Sequence, residues 1–197
     1  DVTVEWEYTT VPSGSERRFA CVSDRAAYNA LVMDTPITTT WLMTPQPGMD
    51  AASRRCFEVL SFTVDGEEMP IRRTEHEGGQ TYIVDPSVAA AAGNPVRIRH
   101  VYRTVTPAWG HRIYVELPQP ARGFSFDLDY TNTSIDSVSV TDMAANGRAA
   151  QIVPSPKQAA GRTLSLRAPG WLLSKSGFAI VWTLEDELPQ SERSEAA

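Results

Sequence analysis

Hydrophobic and polar positions alternate along residues 2–10, where Val2, Val4, Trp6 and Tyr8 are set against Thr3, Glu5, Glu7 and Thr9. Successive side chains of an extended chain point to opposite faces, so this spacing predicts a strand with one buried face. Shorter runs rich in β-branched and aromatic residues follow at Arg17–Ser23, Ile37–Met43, Val96–Val105, His111–Leu117, Gly123–Tyr130, Ile135–Asp142, Gln151–Val153, Arg162–Arg167 and Phe178–Leu184. No stretch carries the length and 3.6-residue period of a long helix. Ser23 or Asp24 can cap one short helix over Arg25–Met33. Pro86, four alanines and Gly93 predict one or two further helical turns, with proline at the first position and glycine past the end.

The stretch Arg54–Asp85 organises the rest. Its Asp65-Gly66 and Gly78-Gly79 dipeptides tolerate the positive φ of a primed hairpin turn, and β-forming residues flank both. Three antiparallel strands in a meander are expected there. A second hairpin is expected around Thr106–Gly110, joining Val96–Val105 to His111–Leu117. The fold class is therefore all-β: an antiparallel β-sandwich of about eleven or twelve short strands in two meanders, with one or two helical connectors. It is expected to span 1–184, either as one core or as two β halves near 1–92 and 93–184. Residues 185–197, acidic and without aromatics, read as a disordered tail or a linker.

With 197 residues, of which 42% are hydrophobic and 21% charged, the chain can bury a core without metal or disulfide staples. A net charge of −6 repels a phosphate backbone, so direct nucleic-acid binding is not expected. The 18 basic residues comprise Lys157, Lys175 and otherwise arginine, a bias that with the alanine content suggests a GC-rich bacterial origin. Cys21 and Cys56 are too few for a disulfide scaffold and read as buried thiols or a single bridge. No apolar run is long enough for a membrane span and no signal-peptide pattern is present, which points to the cytoplasm. The start at Asp1 suggests a segment of a larger multidomain protein.

The sequence has no G-x-S-x-G, H-E-x-x-H, Walker or dinucleotide-binding signature. His76, His100 and His111 are the only imidazoles. His76 lies between Glu75 and Glu77, but neighbours on a strand face opposite ways, so a solvated hairpin tip is expected and no metal site. His100, in phase with Ile98 and Tyr102, reads as a partly buried, hydrogen-bonded core residue. Arg97, Arg99 and Arg103 share the opposite face of the same strand. They read either as partners in cross-strand ion pairs or, with Arg72 and Arg73, as a fork for a carboxylate or phosphate. Asp127 and Asp129 stand outward side by side, for which cross-strand pairing is again expected over calcium or glycosidase chemistry.

Trp109, at a hairpin tip, and Trp171, in the loop Pro169–Leu173, are expected either to plug the sandwich ends or to act as binding anchors. Trp6, Trp41 and Trp182 belong to the core. The function expected is a non-catalytic ligand-sensing or protein-interaction domain, without cofactor. Its ligand-binding candidates are Trp109, Trp171, Arg97, Arg99, Arg103 and His111, and its partner is a protein or a small, anionic ligand. The alternatives are a carbohydrate-binding or carbohydrate-active sandwich and a structural assembly module.

Overall fold

The alternation at the start of the chain becomes strand β1 (Val2–Thr10), and thirteen more strands and one helix follow among the described residues. These are β2 (Arg17–Val22), α1 (Arg25–Val32), β3 (Ile37–Leu42), β4 (Phe57–Val64), β5 (Glu67–Glu68), β6 (Ile71–His76), β7 (Gly79–Val84), β8 (Val96–Thr104), β9 (Arg112–Glu116), β10 (Ala121–Asp129), β11 (Ile135–Asp142), β12 (Gln151–Pro154), β13 (Thr163–Leu172) and β14 (Gly177–Leu184). The computed structural model describes residues 1–12, 16–34, 37–44, 46–86, 93–106, 110–143, 149–156 and 160–188. The all-β expectation holds. No helix among these residues is long and apolar enough to cross a membrane. The chain divides into two compact units, Asp1–Thr106 and Pro107–Ala197.

The first unit carries two four-stranded sheets, ordered β1-β8-β4-β5 and β3-β2-β7-β6. Their inner faces build one core. Phe57, Val59, Phe62 and Val64 of β4 and Ile98 and Tyr102 of β8 belong to the same buried cluster as Phe19 and Cys21 of β2 and Tyr82 and Val84 of β7. Phe19 meets Phe62 edge-on at 6.2 Å and Phe57 meets Tyr82 at 5.9 Å, so aromatic pairs tie one sheet to the other. A bulge between Val59 and Ser61 turns Leu60 outward and restores Phe62 to the inner face.

Helix α1 begins where the Asp24 carboxylate accepts a hydrogen bond from the Ala27 N–H at 2.7 Å. It carries the chain back along the sheet, so β3 runs parallel to β2, the one exception here to antiparallel pairing. The Asp65-Gly66 turn forms as expected, with φ of 50° and 88°. The meander does not continue past it: β5 ends before Pro70, which lacks an N–H to extend the ladder, and β6 and β7 join the other sheet. The second turn is Glu77-Gly78, because His76 pairs with Gly79, which is already the first residue of β7. The helical turns expected before Gly93 fall on residues outside those described.

The second unit carries sheets β10-β13-β12 and β11-β14-β9. Leu164, Leu166, Ala168 and Leu172 of β13 and Phe178, Ile180 and Trp182 of β14 are buried, and Phe124 of β10 stacks on Phe178 at 5.5 Å. The hairpin expected between Val96–Val105 and His111–Leu117 does not form. Strand β8 pairs with β1 and β4 and β9 pairs with β14, so the two strands fall in different units.

Arg162 fastens the β10–β11 connection. Its guanidinium donates to the carbonyls of Thr131, Thr133 and Ile135 and to Glu185, and lies 5.6 Å from the centre of the Tyr130 ring. Truncation removes the one guanidinium that ties these three carbonyls together. Arg162→Ala is expected to lower the stability of this unit by about 2 kcal/mol in urea unfolding, while Arg122→Ala, on an exposed position, is expected to be near neutral.

Candidate functional site

The arginine stripe on β8 forms on the face away from the core, and each member already holds a carboxylate. Arg99 grips Glu5 with both arms of its fork, Nε to Oε1 at 2.7 Å and Nη2 to Oε2 at 2.8 Å. Arg97 reaches Glu7 at 2.7 Å, and Arg103 reaches Glu58 at 2.8 Å. The Arg99 hydrogen bond holds the Glu5 carboxyl below the usual carboxylate range. Register explains the pattern: Arg99 sits opposite Glu7 and one pair along from Glu5, within reach of long side chains. Cross-strand pairing, the simpler of the two expectations, is the arrangement found.

Beside Arg97 and Arg99 lies an open hollow of about 500 Å³, lined also by Glu7, Thr63, Asp65 and Gly66. Glu7 and Asp65 match Arg97 and Arg99 in number, so its lining carries no net positive charge to attract an anion. Arg72 and Arg73 do not complete a fork, because β6 belongs to the other sheet.

Arg73 instead serves a polar network that sequence reasoning missed. Its Nε donates to Gln80 Oε1 at 2.8 Å, and further bonds run to Glu75 and to the Ala52 carbonyl. Gln80, completely buried, also accepts from the Tyr82 hydroxyl at 3.1 Å. Its amide nitrogen donates to the carbonyls of Ala51 at 2.8 Å and Ser53 at 2.9 Å. Both amide hydrogens and both acceptor positions of Gln80 are thus used. The loop at 50–56 is pinned to β7 through one side chain. The signal was a glutamine in phase with Tyr82 and Val84, the inward residues of β7.

The aspartates are likewise engaged. Asp127 takes Arg167 Nη2 on both oxygens, at 2.9 and 3.0 Å, and accepts from Ser165; the Ser165 and Arg167 bonds hold its pKa below the usual value. Asp129 accepts from the Thr131 hydroxyl at 2.6 Å and the Thr131 N–H at 2.9 Å, which lowers its pKa too. Each carboxylate is turned to its own neighbour.

The three histidines occupy different settings. His76 lies at the exposed hairpin tip, its ring near the Thr81 hydroxyl and the Glu77 carbonyl. Among the described residues no group of three or more His, Cys, Asp or Glu side chains is placed to hold a metal ion. His111 adopts a positive φ of 48° and its Nε2 lies 3.1 Å from Glu187, in the turn after β14. His100 is deeper and less satisfied than its strand phase suggested: it is 2% exposed, and neither ring nitrogen has a hydrogen-bond partner. The rings of Phe19, Phe62, Tyr8 and Tyr102 surround it.

Cys21 and Cys56 are free and buried. Burial first, then the neighbouring Cys56, pushes the Cys21 thiol up to about 12, which removes it as a nucleophile at neutral pH.

Of the tryptophans, Trp109 lies outside the described residues. Trp182 is buried, and Trp6 and Trp41 are half-buried against the first unit's core. Trp171 is 62% exposed, and it stands on a strand where a loop was expected, because β13 runs on to Leu172. The strand tolerates Pro169 because the β10 register skips there: Phe124 pairs with Ala168 and Arg122 with Trp171, leaving Pro169 with no ladder bond to lose. Leu173 is 59% exposed, while Leu172 between the two is fully buried. Trp171 and Leu173 therefore form an outward apolar ledge held by an inward anchor. Arg122, opposite Trp171, is exposed beside it. The chain matches no family model, no curated protein and no solved structure.

Proposed function

We propose that the chain is a non-catalytic interaction module that engages a protein partner through the ledge of Trp171 and Leu173. The exposure of Trp171 carries the reading. A tryptophan with most of its surface in water forgoes a large burial gain, and such a ring supplies extensive contact area at small entropic cost when a partner covers it. The charged candidates support the same reading by being spoken for. Arg97, Arg99, Arg103, Asp127 and His111 each face a counter-charge within the chain, and a new ligand would have to displace it. Arg122, opposite Trp171 on the neighbouring strand β10, supplies a polar group beside the ledge, in keeping with an apolar centre and a polar rim.

The test places a photo-crosslinking phenylalanine analogue at Trp171 in the native host. One discrete adduct with a different protein is expected, competed by unlabelled wild-type chain and not by a Leu173→Asp chain, with no adduct from the same probe at Asp129. Trp171→Ala is expected to abolish competition while changing stability by less than about 0.5 kcal/mol. An adduct of the chain with itself would replace the proposal with an assembly module. A tryptophan-fluorescence change on titration with oligosaccharides, without any adduct, would replace it with sugar binding.

A further inference from the structure

We propose that the Asp1–Thr106 unit contains an acid-responsive lock centred on His100, in which uptake of one proton by this ring drives the sandwich open. His100 occupies the middle of β8, paired across the ladder with Trp6 of β1 and Phe62 of β4, and faces inward. Four rings enclose it: Phe19 at 5.0 Å, Tyr8 at 5.9 Å, Phe62 at 6.0 Å and Tyr102 at 6.3 Å between centroids. Phe19 reaches it from β2, so the imidazole sits at the seam where the two sheets meet. A buried polar group without a partner is costly and rare in a folded protein. Here the cost is moderate only while the ring is neutral.

No group around it can hold the charged form. The titratable side chains that face inward are Tyr8 on β1, Arg17 and Cys21 on β2, Cys56 just before β4, Tyr82 on β7 and Tyr102 on β8; the inward residues of β4 are Phe57, Val59, Phe62 and Val64. None is a carboxylate, and Arg17 is itself a cation. Glu5, Glu7 and Glu58 lie on the far side of the same sheet, bound to Arg99, Arg97 and Arg103.

Burial alone pushes the His100 pKa down from 6.5 to about 4. Above pH 6.5 the ring is neutral in both the folded and the unfolded chain, and pH has no leverage through it. Between 6.5 and 4 the unfolded chain binds a proton that the folded chain refuses, so stability falls as pH falls. Below about 4 both forms are protonated and the loss is complete. Linkage gives an opening constant roughly 50-fold larger at about pH 4.5 than at about pH 7 from this one group. Glu5, Asp127 and Asp129 are held below their ordinary carboxylate range, so the upper half of this window belongs to histidine.

Residue-resolved amide hydrogen exchange on the whole chain tests the lock, with rates corrected for their intrinsic pH dependence. Amides of β4 and β8 are expected to open roughly 50-fold more often at about pH 4.5 than at about pH 7, whereas amides of β13 and β14 report the other unit as a control. In His100→Leu this acceleration disappears, while His76, His111 and every carboxylate are still present. Equal acceleration in wild type and His100→Leu would overturn the proposal. Should the variant fail to fold, the His100 ring signal in the wild-type chain decides. A ring that stays neutral down to about pH 5, with folded signals of the first unit lost below that, supports the lock, and a ring that titrates near 6.5 inside the intact unit overturns it.

Discussion

Gly177→Ala lowers the stability of the Pro107–Ala197 unit by about 3 kcal/mol or more, the largest effect expected of a single methyl group in this chain. A Cβ at this position would lie 2.1 Å from the Val115 carbonyl oxygen and 3.0 Å from the Glu116 Cα, both backbone atoms of the neighbouring strand. Gly177 pairs with Glu116 at the end where β9 and β14 meet, and the bond from Leu117 N–H to the Ser176 carbonyl closes that end at 3.0 Å. The methyl group can be admitted only if β9 moves off β14, which opens the ladder that buries Val115 and Phe178. Urea unfolding followed by circular dichroism measures the loss. Gly161→Ala is the control, since its added Cβ would meet only the Thr131 hydroxyl at an ordinary 3.5 Å. Equal midpoints for the two variants would mean that β9 is not held against β14 as described.

Gln80→Leu is expected to cost about 3 kcal/mol in the Asp1–Thr106 unit, although leucine fills nearly the same volume. The substitution leaves the Ala51 carbonyl without its side-chain donor, takes from the Ser53 carbonyl one of its several donors, and leaves Arg73 Nε without its acceptor, each in a buried or half-buried place. Gln80→Glu keeps the shape and the Arg73 contact but turns a carboxylate oxygen onto those two carbonyls, so it is expected to be at least as damaging. If leucine proved neutral and glutamate damaging, charge would explain the position and the hydrogen-bond account would fail. Thermal unfolding of both variants, with loop exchange rates at 51–56, separates these outcomes.

The local signals of the chain were legible to different depths. The alternation in β1, the Asp24 cap of α1 and the Asp65-Gly66 turn each depend on a few adjacent residues, and the structure carries all three. Trp171 was suspected because it followed Pro169-Gly170, yet the register skip opposite Gly123 lets β13 pass through that pair. Gln80 signalled only its inward phase on β7, and Arg162 gave no signal. Their roles come from the carbonyls of segments distant along the chain, and nothing in a residue's own neighbourhood reports where such carbonyls will stand.

Period-two patterning and turn chemistry by themselves determined that this is a β protein whose helix is confined to short connectors, since both act over a few residues through steric and hydrogen-bonding preferences. They also determined which side chains point together along each strand, including the outward arginines of β8 and its inward histidine. Tertiary structure alone decided which strands became neighbours. That choice placed β5 and β6 in different sheets, divided β8 from β9, gave each arginine a glutamate, and closed four aromatic rings around an imidazole. Strand pairing is settled by how well whole faces bury one another, and that energy depends on residues as far apart in the chain as Val2 and Thr104, which pair across β1 and β8.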